Sequence, residues 1–388
     1  MRTILVTGAT GRVGRPVVDG LRAAGVSVRA LVRTPERAAL PPDVELVQGD
    51  ITDPAAVRRA ADGVDAAFLL WPSFSADGAA AVVRELPRRV VYLSSLNAES
   101  GGVWGDVEQL LQDRDRTFVR PSGFAVNAQN WADDFRTADV VRVASPEAAR
   151  SLIHERDIAA VAVLTLLDDH HIGRTYEITG PEALTQAEQI RTIARTVGKP
   201  MRIEALDDAA ARQAMLDLGA DPILADSSVK YWASLVDNPE PLTTTVAELT
   251  GRPARTFAEW AADHAAEFRV PTTAEVAQQY TAALSAGRLA EALALTAPDM
   301  VRVAPLETGG EEIEIKGTDA ILDHARRQTA GIRYDAIDVL GPLVTDDHFA
   351  IRFTFHHNTT HTTKLSLCTV ESGRITREEV FYFTPPHA

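Results

Sequence analysis

Three glycines near the start of the chain have a spacing that suits phosphate binding. Gly8, Gly11 and Gly14 follow the β-rich run from Thr3 to Val6 and precede an amphipathic helical pattern. Glycines keep such a turn tight and let the backbone approach a pyrophosphate, and the helix that follows offers free N–H groups to the anion. The alternative is a tight turn of the same fold without a ligand. We expect a dinucleotide cofactor held by Gly8, Thr10, Gly11, Arg12, Val13 and Gly14.

Arginines near the second strand bear on which dinucleotide is bound. A carboxylate at the end of that strand would bind the ribose 2′-hydroxyl of NAD. Here the strand ends in Arg33, with Arg29 and Arg37 nearby, and Arg12 lies inside the glycine turn. A guanidinium suits a 2′-phosphate, so the sequence predicts NADP, with NADPH as its reduced form. The alternative is that these arginines are solvated surface residues.

The segment from Ser94 to Leu111, SSLNAESGGVWGDVEQLL, lacks the Tyr and the Lys that short-chain carbonyl reductases use. They place a Tyr here as proton donor and a Lys four residues later, whereas Ser100 and Trp104 fall near those positions. The pKa of a serine hydroxyl is too high for it to replace that Tyr, and Trp104 carries no charge. Trp104 either stacks over the nicotinamide or substrate or packs in the core. Ser95 remains a catalytic candidate, able to orient a carbonyl by one hydrogen bond.

The elements that position these residues alternate between strands and helices. Strand patterns at VELVQGD, AAFLLWP, RVVYLSS and TFVRPSG are separated by helical patterns, one of them with an N-cap at Asp53. Such alternation predicts an α/β fold with a parallel sheet, whose ligands lie at the carboxyl ends of the strands. We therefore expect further cofactor contacts at Arg33, Asp50, Ile51, Trp71, Ser94 and Pro121.

Four motifs in the first part of the chain resemble one family. TGATGRVG, VQGD, RPSGF with Asn127, and HERDIAAVAV with GRTYEITGPEALT are together similar to the NmrA-like branch of the atypical short-chain dehydrogenases/reductases. The resemblance implies an NADP-binding, doubly wound Rossmann-like domain over residues 1–270, with a small variable C-terminal part. Members of the family include quinone and enone reductases as well as sensors that bind cofactor without turnover. Quinone reductases of the family lack the Tyr and Lys because a quinone accepts hydride readily.

The pattern changes at Pro271, where helices are followed by long alternating strands. This order predicts an α+β cone over residues 272–388, whose first helix begins at an N-cap, Thr272 or Thr273. YTAALSAGRL and VESGRITREEVFYF resemble the SnoaL-like and ketosteroid-isomerase-like family. That resemblance implies a deep pocket between the curved sheet and the helices. It also implies a possible activity as a cyclase, isomerase or dehydratase, or a binding or dimerisation role.

The resemblance carries some catalytic residues of the isomerases onto this chain and not others. Tyr280 matches their oxyanion-hole Tyr, and Ser366 falls near their second Asp. Their catalytic Asp falls at Ala304, which cannot abstract a proton. Glu307 or a histidine could supply the base. His356, His357 and His361 could form a metal site or a solvated turn; we favour the turn and expect no metal.

Composition narrows the function further. The chain has 388 residues and a formal net charge of −15, which argues against a nucleic-acid partner. Its longest apolar run, Ile158 to Leu167, is too short to span a bilayer, and no signal peptide is evident at the start. Cys368 is the one cysteine, which fits a reducing cytoplasm.

A homodimer is expected through the cone. The strand FAIRFTF puts four large apolar side chains on one face, and an apolar face that helices leave uncovered needs a partner. These side chains are Phe349, Ile351, Phe353 and Phe355.

These observations leave three hypotheses about function. The first is an NADPH-dependent oxidoreductase acting on a small hydrophobic carbonyl compound, such as a quinone, an enone or a polyketide-like intermediate of secondary metabolism. The second is a redox-neutral cyclase or isomerase that uses the cone pocket. The third is a non-enzymatic NADP sensor. Tyr280 and the pocket favour an enzyme, whereas the absent dyad and the absent Asp favour a sensor.

Overall fold

The chain folds into two units. The computed structural model describes residues 2–217, 219, 221–305, 312–329, 335–357 and 360–383. It divides into Met1–Phe268 and Arg269–Ala388. The predicted boundary at Pro271 lies close to this division.

The first unit is built on a seven-stranded sheet in which every neighbouring pair is parallel. Its order, β3-β2-β1-β4-β5-β6-β9, reverses direction between β1 and β4, which is where ligands of such sheets bind. Outside this sheet, β7 pairs with β11 and β8 pairs with β10. The strands are β1 (Thr3–Thr7), β2 (Ser27–Val32), β3 (Glu45–Gln48), β4 (Ala66–Leu70), β5 (Arg89–Leu93), β6 (Asp115–Pro121), β7 (Val140–Ala144), β8 (Ala149–Arg150), β9 (Thr175–Ile178), β10 (Leu184–Thr185) and β11 (Arg202–Leu206).

Helices cover both faces of this sheet because its strands bury side chains on both sides. Alternate residues of β1 enter different cores: Ile4 and Val6 pack with α1 and α6, whereas Leu5 packs with α2, α3 and α4. Asp53 caps α2 as predicted, accepting a hydrogen bond from the Ala55 N–H at 2.9 Å. The helices are α1 (Gly14–Ala23), α2 (Pro54–Ala61), α3 (Ala79–Glu85), α4 (Val103–Leu110), α5 (Ala132–Thr137), α6 (Glu155–Leu167), α7 (Gln186–Val197), α8 (Asp208–Asp217), α9 (Pro222–Asp237), α10 (Thr245–Thr250) and α11 (Phe257–Asp263).

The described residues of the second unit form helices α12, α13 and α14 and a six-stranded sheet of order β13-β12-β17-β16-β15-β14. Its strand pairs are antiparallel except for β12 with β17. Thr272 is the N-cap of the first helix and forms a capping box with Glu275. The elements are α12 (Thr273–Ser285), α13 (Leu289–Leu293), β12 (Thr296–Pro305), β13 (Glu312–Lys316), α14 (Thr318–Thr329), β14 (Ala336–Val344), β15 (His348–His357), β16 (Thr360–Glu371) and β17 (Arg374–Phe383).

The apolar face of β15 is not the uncovered surface that the sequence suggested. Phe349, Ile351 and Phe353 are at most 2% exposed and share one core with Val276 and Tyr280 of α12. The predicted basis for a homodimer is therefore wrong, because a helix already covers these side chains.

The helices of both units bear on membrane insertion. Over the described ranges, none of them combines the length and apolar character that crossing a bilayer requires.

Candidate active site

The glycine turn between β1 and α1 has a geometry that favours glycine at one position and requires it at another. Gly8 has a φ of +65°, and its carbonyl accepts a hydrogen bond from the Gly11 N–H at 2.9 Å. A Cβ at Gly14 would lie 2.0 Å from the Gly8 carbonyl oxygen, so any side chain there would force the turn open. The predicted close-approach turn is present, and its compactness depends on Gly8 and Gly14.

The N-terminus of α1 is open to an anion. Val13 occupies the N-cap position and makes no side-chain capping hydrogen bond, while Thr10, Gly11 and Arg12 are exposed. The Arg15 N–H donates to the Gly11 carbonyl at 2.9 Å and Pro16 has no N–H, so the anion would be held by the N–H groups that precede Arg15, where the helix dipole favours negative charge. The turn and the helix start together fit the pyrophosphate of a dinucleotide.

Arg29, within the second strand, and Arg33, just after it, differ in whether their guanidinium groups are free to bind a ligand. Arg33 follows β2 and is exposed. The Arg29 guanidinium instead pairs with Glu45 at 2.8 Å and donates to the carbonyls of Ala60 and Asp62 at 3.1 and 2.6 Å. Arg29 therefore ties β2 to β3 and α2, and it is not available to a 2′-phosphate.

Arg12 and Arg37 are both exposed, and only Arg12 reaches across the turn. Its Nη1 donates to the Val126 carbonyl at 3.2 Å, which links the glycine turn to the chain that follows β6. Arg12 keeps further donors, since a guanidinium has five N–H groups.

Asp50 and Trp71 lie at the predicted strand ends, but both are also used within the protein. The Asp50 carboxylate accepts hydrogen bonds from the Thr52 N–H at 2.9 Å and the Thr52 hydroxyl at 2.8 Å, which lower its pKa. Asp50 thus stays ionised as an acceptor, beside the half-buried Ile51. Trp71 is 6% exposed, and its indole N–H donates to the Ser75 carbonyl at 2.8 Å. The indole N–H of Trp71 is thereby unavailable to a cofactor, and little of its ring is exposed.

Ser94 fixes a helix to the sheet, and the structure gives no support to its predicted role as a cofactor contact. Its buried hydroxyl donates to Glu108 Oε1 at 2.5 Å. Arg120 of β6 donates to both oxygens of Glu108, at 2.9 and 2.7 Å, and also pairs with Glu99. The hydrogen bond with Glu108 is the main reason why the pKa of Arg120 is raised. This ion pair anchors α4 at the end of β6 next to the buried Pro121.

The other residues of this loop remain accessible. Ser95 is half-buried, and its Oγ accepts a long hydrogen bond, 3.5 Å, from the Asn97 N–H. Ser100 is exposed at the end of a 3₁₀ turn. Trp104 is half-buried and packs edge-to-face on Phe74, with ring centroids 6.2 Å apart. Phe74 itself is 73% exposed, so the two rings present an aromatic surface beside the ends of β4 and β5.

A polar cluster that the sequence did not reveal adjoins the same strand ends. The Tyr231 hydroxyl of α9 contacts the Asn97 amide at 3.4 Å and Glu240 Oε1 at 2.8 Å. Glu240 is buried and pairs with Arg150. Burial raises the pKa of Tyr231. Asn97 is 134 residues from Tyr231 in the chain, so periodicity could not bring them together.

Comparison with known proteins finds a family match for each of the two units. The model of an NAD(P)H-binding domain matches residues 8–169, and that of a SnoaL-like domain matches residues 276–378. A Streptomyces griseus reductase of (4-alkanoyl-5-oxo-2,5-dihydrofuran-3-yl)methyl phosphate is 40% identical over 283 residues, covering 68% of this chain and 99% of the relative. The chain belongs to the NAD(P)H-binding, NmrA-like reductase family.

Two further relatives have the same extent. An NAD(P)H azoreductase of Xenophilus azovorans is 34% identical, covering 68% of this chain and 99% of its own. The crystal structure of the NADPH-dependent quinone oxidoreductase QOR2 of Escherichia coli superposes with a TM-score of 0.57 at 25% identity. It covers 67% of this chain and 98% of that one. This NmrA-like reductase is therefore an NAD(P)H-dependent oxidoreductase, extended by a SnoaL-like domain.

The SnoaL-like domain of the reductase encloses a charged cluster around Glu378. This fully buried carboxylate accepts from Arg302 at 2.8 and 2.6 Å, from Lys364 at 3.1 Å and from the Ser366 hydroxyl at 2.7 Å. The Tyr280 hydroxyl lies 3.5 Å from the same group. The structure thus brings together the two predicted cone residues, Tyr280 and Ser366, but around a carboxylate that the sequence analysis did not single out.

Glu378 is poorly suited to abstract a proton. Burial alone would raise its pKa, but Lys364 and Arg302 overcome this effect and hold the pKa well below the usual range. A general base needs a pKa near the working pH. Burial also raises the pKa of Tyr280, and Ala304 is 3% exposed at the position of the isomerases' Asp. The cluster is arranged as a structural ion-pair network, with the Ser366 hydroxyl already committed to Glu378.

The histidines of the β15–β16 hairpin do not form a metal centre in the part of the chain that the structure describes. His356 instead pairs with Asp338 at 2.8 Å, and its ring lies 6.2 Å from that of His361. The side chain of His357 and the whole of Glu307 lie outside the described residues.

Proposed function

We propose that the protein is an NADPH-dependent reductase of conjugated carbonyl compounds, with quinones and enones as the substrate class. When bound, NADPH supplies a hydride. The observation that supports this best is an open dinucleotide turn beside strand ends where Ser100 and Trp104 fall near the positions expected of a proton donor and its Lys.

The missing donor restricts which carbonyl compounds can react. Reduction of a simple ketone forms an alkoxide, which is a strong base and needs an acid at the moment of transfer. A quinone or enone instead delocalises the new charge onto an oxygen of phenol or enolate type; a phenol has a pKa of about 10. Water can protonate such an oxygen after the hydride has arrived, so no side-chain acid is required.

The names of the relatives are consistent with this class. The substrate named for the S. griseus enzyme is a 5-oxo-2,5-dihydrofuran, which contains an alkene conjugated with carbonyl groups. The E. coli structure is named as a quinone oxidoreductase. The Phe74–Trp104 surface would suit a planar substrate, since aromatic rings stack or meet edge-to-face. A polyketide-like intermediate of secondary metabolism would fall in the same class if it carries a conjugated carbonyl.

NADPH is proposed over NADH because Arg33 and Arg12 are exposed cations close to the turn, where a 2′-phosphate would lie. A redox-neutral cyclase in the cone is less well supported, since Glu378 is held ionised between two cations.

The proposal is tested by mixing the full-length protein and NADPH with each of four acceptors and following the loss of nicotinamide absorbance. The acceptors are a naphthoquinone, cyclohexenone, an azo dye and cyclohexanone. We expect the protein to reduce the quinone and the enone but not cyclohexanone. Equal turnover of cyclohexanone would contradict the substrate class. Tight NADPH binding without oxidation by any acceptor would favour a sensor.

A further inference from the structure

A hydrogen-bonded chain ends at Asn97, next to the proposed reaction site. Asn97 is the fourth residue after β5, and the backbone before it follows β6, with the Ser94 N–H donating to Val119 and the Leu96 N–H to Pro121. Asn97 is therefore fixed at the carboxyl end of β5. The switch between β1 and β4 divides the sheet into two halves. Asn97 belongs to the half formed by β4, β5 and β6, whereas Arg33 follows β2 in the other half, where the adenosine part of a dinucleotide would lie.

The direction of each hydrogen bond in the chain follows from the donors available. The Glu240 carboxylate can only accept, so the Tyr231 hydroxyl donates to it at 2.8 Å. The Tyr231 oxygen must then accept from Asn97, and the Asn97 Nδ2 faces it at 3.4 Å. Tyr231 uses one N–H of the amide, and Asn97 is exposed, so its second N–H is open to a ligand.

The far end of the chain is rigid. Glu240 is 7% exposed and accepts from Arg150 at 2.9 and 2.7 Å and from the Ser151 N–H at 3.1 Å. The Arg150 guanidinium also lies over the Tyr231 ring, 5.5 Å from its centroid. It fills the space beside Gly123, where a Cβ would come within 2.5 Å of it. Tyr231 is thus held on its ring face and at its hydroxyl.

We propose that Asn97 donates its second amide N–H to the carbonyl oxygen of the substrate and that Tyr231 is the positioning residue that orients this amide. The inference rests on the proposed function and names the group that recognises the carbonyl. NADPH would lose the hydride and become NADP⁺, a C–H bond would form at the conjugated carbon of the substrate, and the electrons of its π bond would move to the oxygen, where the Asn97 N–H would stabilise the charge. Water would then protonate this oxygen and leave hydroxide.

Tyr231 is not itself the proton donor in this arrangement. Its hydroxyl proton lies in the bond to Glu240, and giving it to a substrate would leave a phenolate 2.8 Å from a carboxylate. Two negative charges at that distance repel strongly in a partly buried site. Orientation of Asn97 is the role that its contacts allow.

The test uses Asn97→Asp and Tyr231→Phe in the full-length protein, with Asn238→Asp as a matched control. Asn238 is also exposed, but it is the C-cap of α9 and its amide donates to the Ser234 carbonyl and not to Tyr231 or Glu240. With menadione as acceptor, both test variants should lose about tenfold in kcat/KM, shared between kcat and KM, which is the worth of one hydrogen bond of about 1.4 kcal/mol. NADPH affinity should not change, and the thermal midpoint should fall by only a few degrees, because Tyr231→Phe keeps the ring and Glu240 keeps its hydrogen bonds from Arg150 and Ser151.

A pH profile separates positioning from a merely structural effect. Asn97→Asp has no donor when ionised but regains an O–H when protonated, so its deficit should shrink as pH falls towards about 4. Wild type and Asn238→Asp should not show this recovery. Binding of menadione to the NADP⁺-loaded protein, followed by tryptophan fluorescence, should also weaken several-fold in Asn97→Asp.

The outcomes distinguish this inference from the proposed function. If wild type reduces menadione and both test variants stay within twofold of it, the inference is overturned while the function stands. If wild type reduces no acceptor, the proposed function fails, and menadione binding decides the inference. Weaker binding in Asn97→Asp would then still support a carbonyl site, whereas unchanged binding would overturn it.

Discussion

Replacing Arg33 by alanine should convert a preference for NADPH into near indifference between the two dinucleotides. Arg33 is exposed directly after β2, where the ribose of a bound dinucleotide is expected. A hydrogen bond to a charged group contributes about 1.5–3 kcal/mol. Taking about 2 kcal/mol, the loss corresponds to roughly thirtyfold weaker NADPH binding, since about 1.4 kcal/mol is a factor of ten. NADH has no 2′-phosphate, so its affinity should stay nearly constant.

Arg29→Ala is the matched control for this experiment. Its guanidinium is occupied by Glu45 and by the carbonyls of Ala60 and Asp62, so its removal should lower stability without altering cofactor choice. Nicotinamide fluorescence titrations with both cofactors provide the affinities, and adding Arg12→Ala should enlarge the effect on NADPH. Equal losses for NADPH and NADH in Arg33→Ala would refute the assignment.

Three further variants test other parts of the account. Gly14→Ala should abolish binding of both cofactors while leaving the second unit folded, because its Cβ would meet the Gly8 carbonyl; retained NADPH affinity in a titration would show that the turn tolerates a side chain. Glu378→Gln should destabilise the second unit by about 3–5 kcal/mol in urea unfolding, since Arg302 and Lys364 lose their counter-charge; a neutral result would mean that the ion pairs are solvated. The pKa of His264 is raised chiefly by its hydrogen bond with Glu155 and also by Glu267. His264 therefore stabilises the fold fully below its unfolded pKa of about 6.5, and this stabilisation is lost as pH rises through the higher pKa of the folded state. His264→Gln should remove that loss of stability with rising pH in urea unfolding, and an unchanged slope would contradict the role of His264.

The sequence was sufficient for the parts of the fold that depend on local patterns. The glycine turn and the Asp53 and Thr272 caps all follow from residue types at short spacing. The glycine turn could be predicted because Gly8 and Gly14 are close in the chain and contact each other within one turn.

Long-range pairing set the limit of prediction. Tyr231 and Asn97 come from distant segments, and nothing in either segment indicates the other. Glu378 stands in the run RITREEVFYF, where pleating decides which of three consecutive charged residues faces inward. The coverage of Phe349 by α12 was missed because strand alternation shows that a face is apolar but not what packs on it.

The fate of the hydride tests the central claim most directly. NADPH deuterated at nicotinamide C4, the full-length protein and cyclohexenone can be incubated together and the product examined by mass spectrometry and NMR. The account predicts cyclohexanone with one deuterium on the carbon β to the carbonyl, because the charge moves to an oxygen that water can protonate. Deuterium on a carbinol carbon would show reduction of the carbonyl itself. A product isomerised without deuterium would show redox-neutral chemistry, and either result would contradict the account.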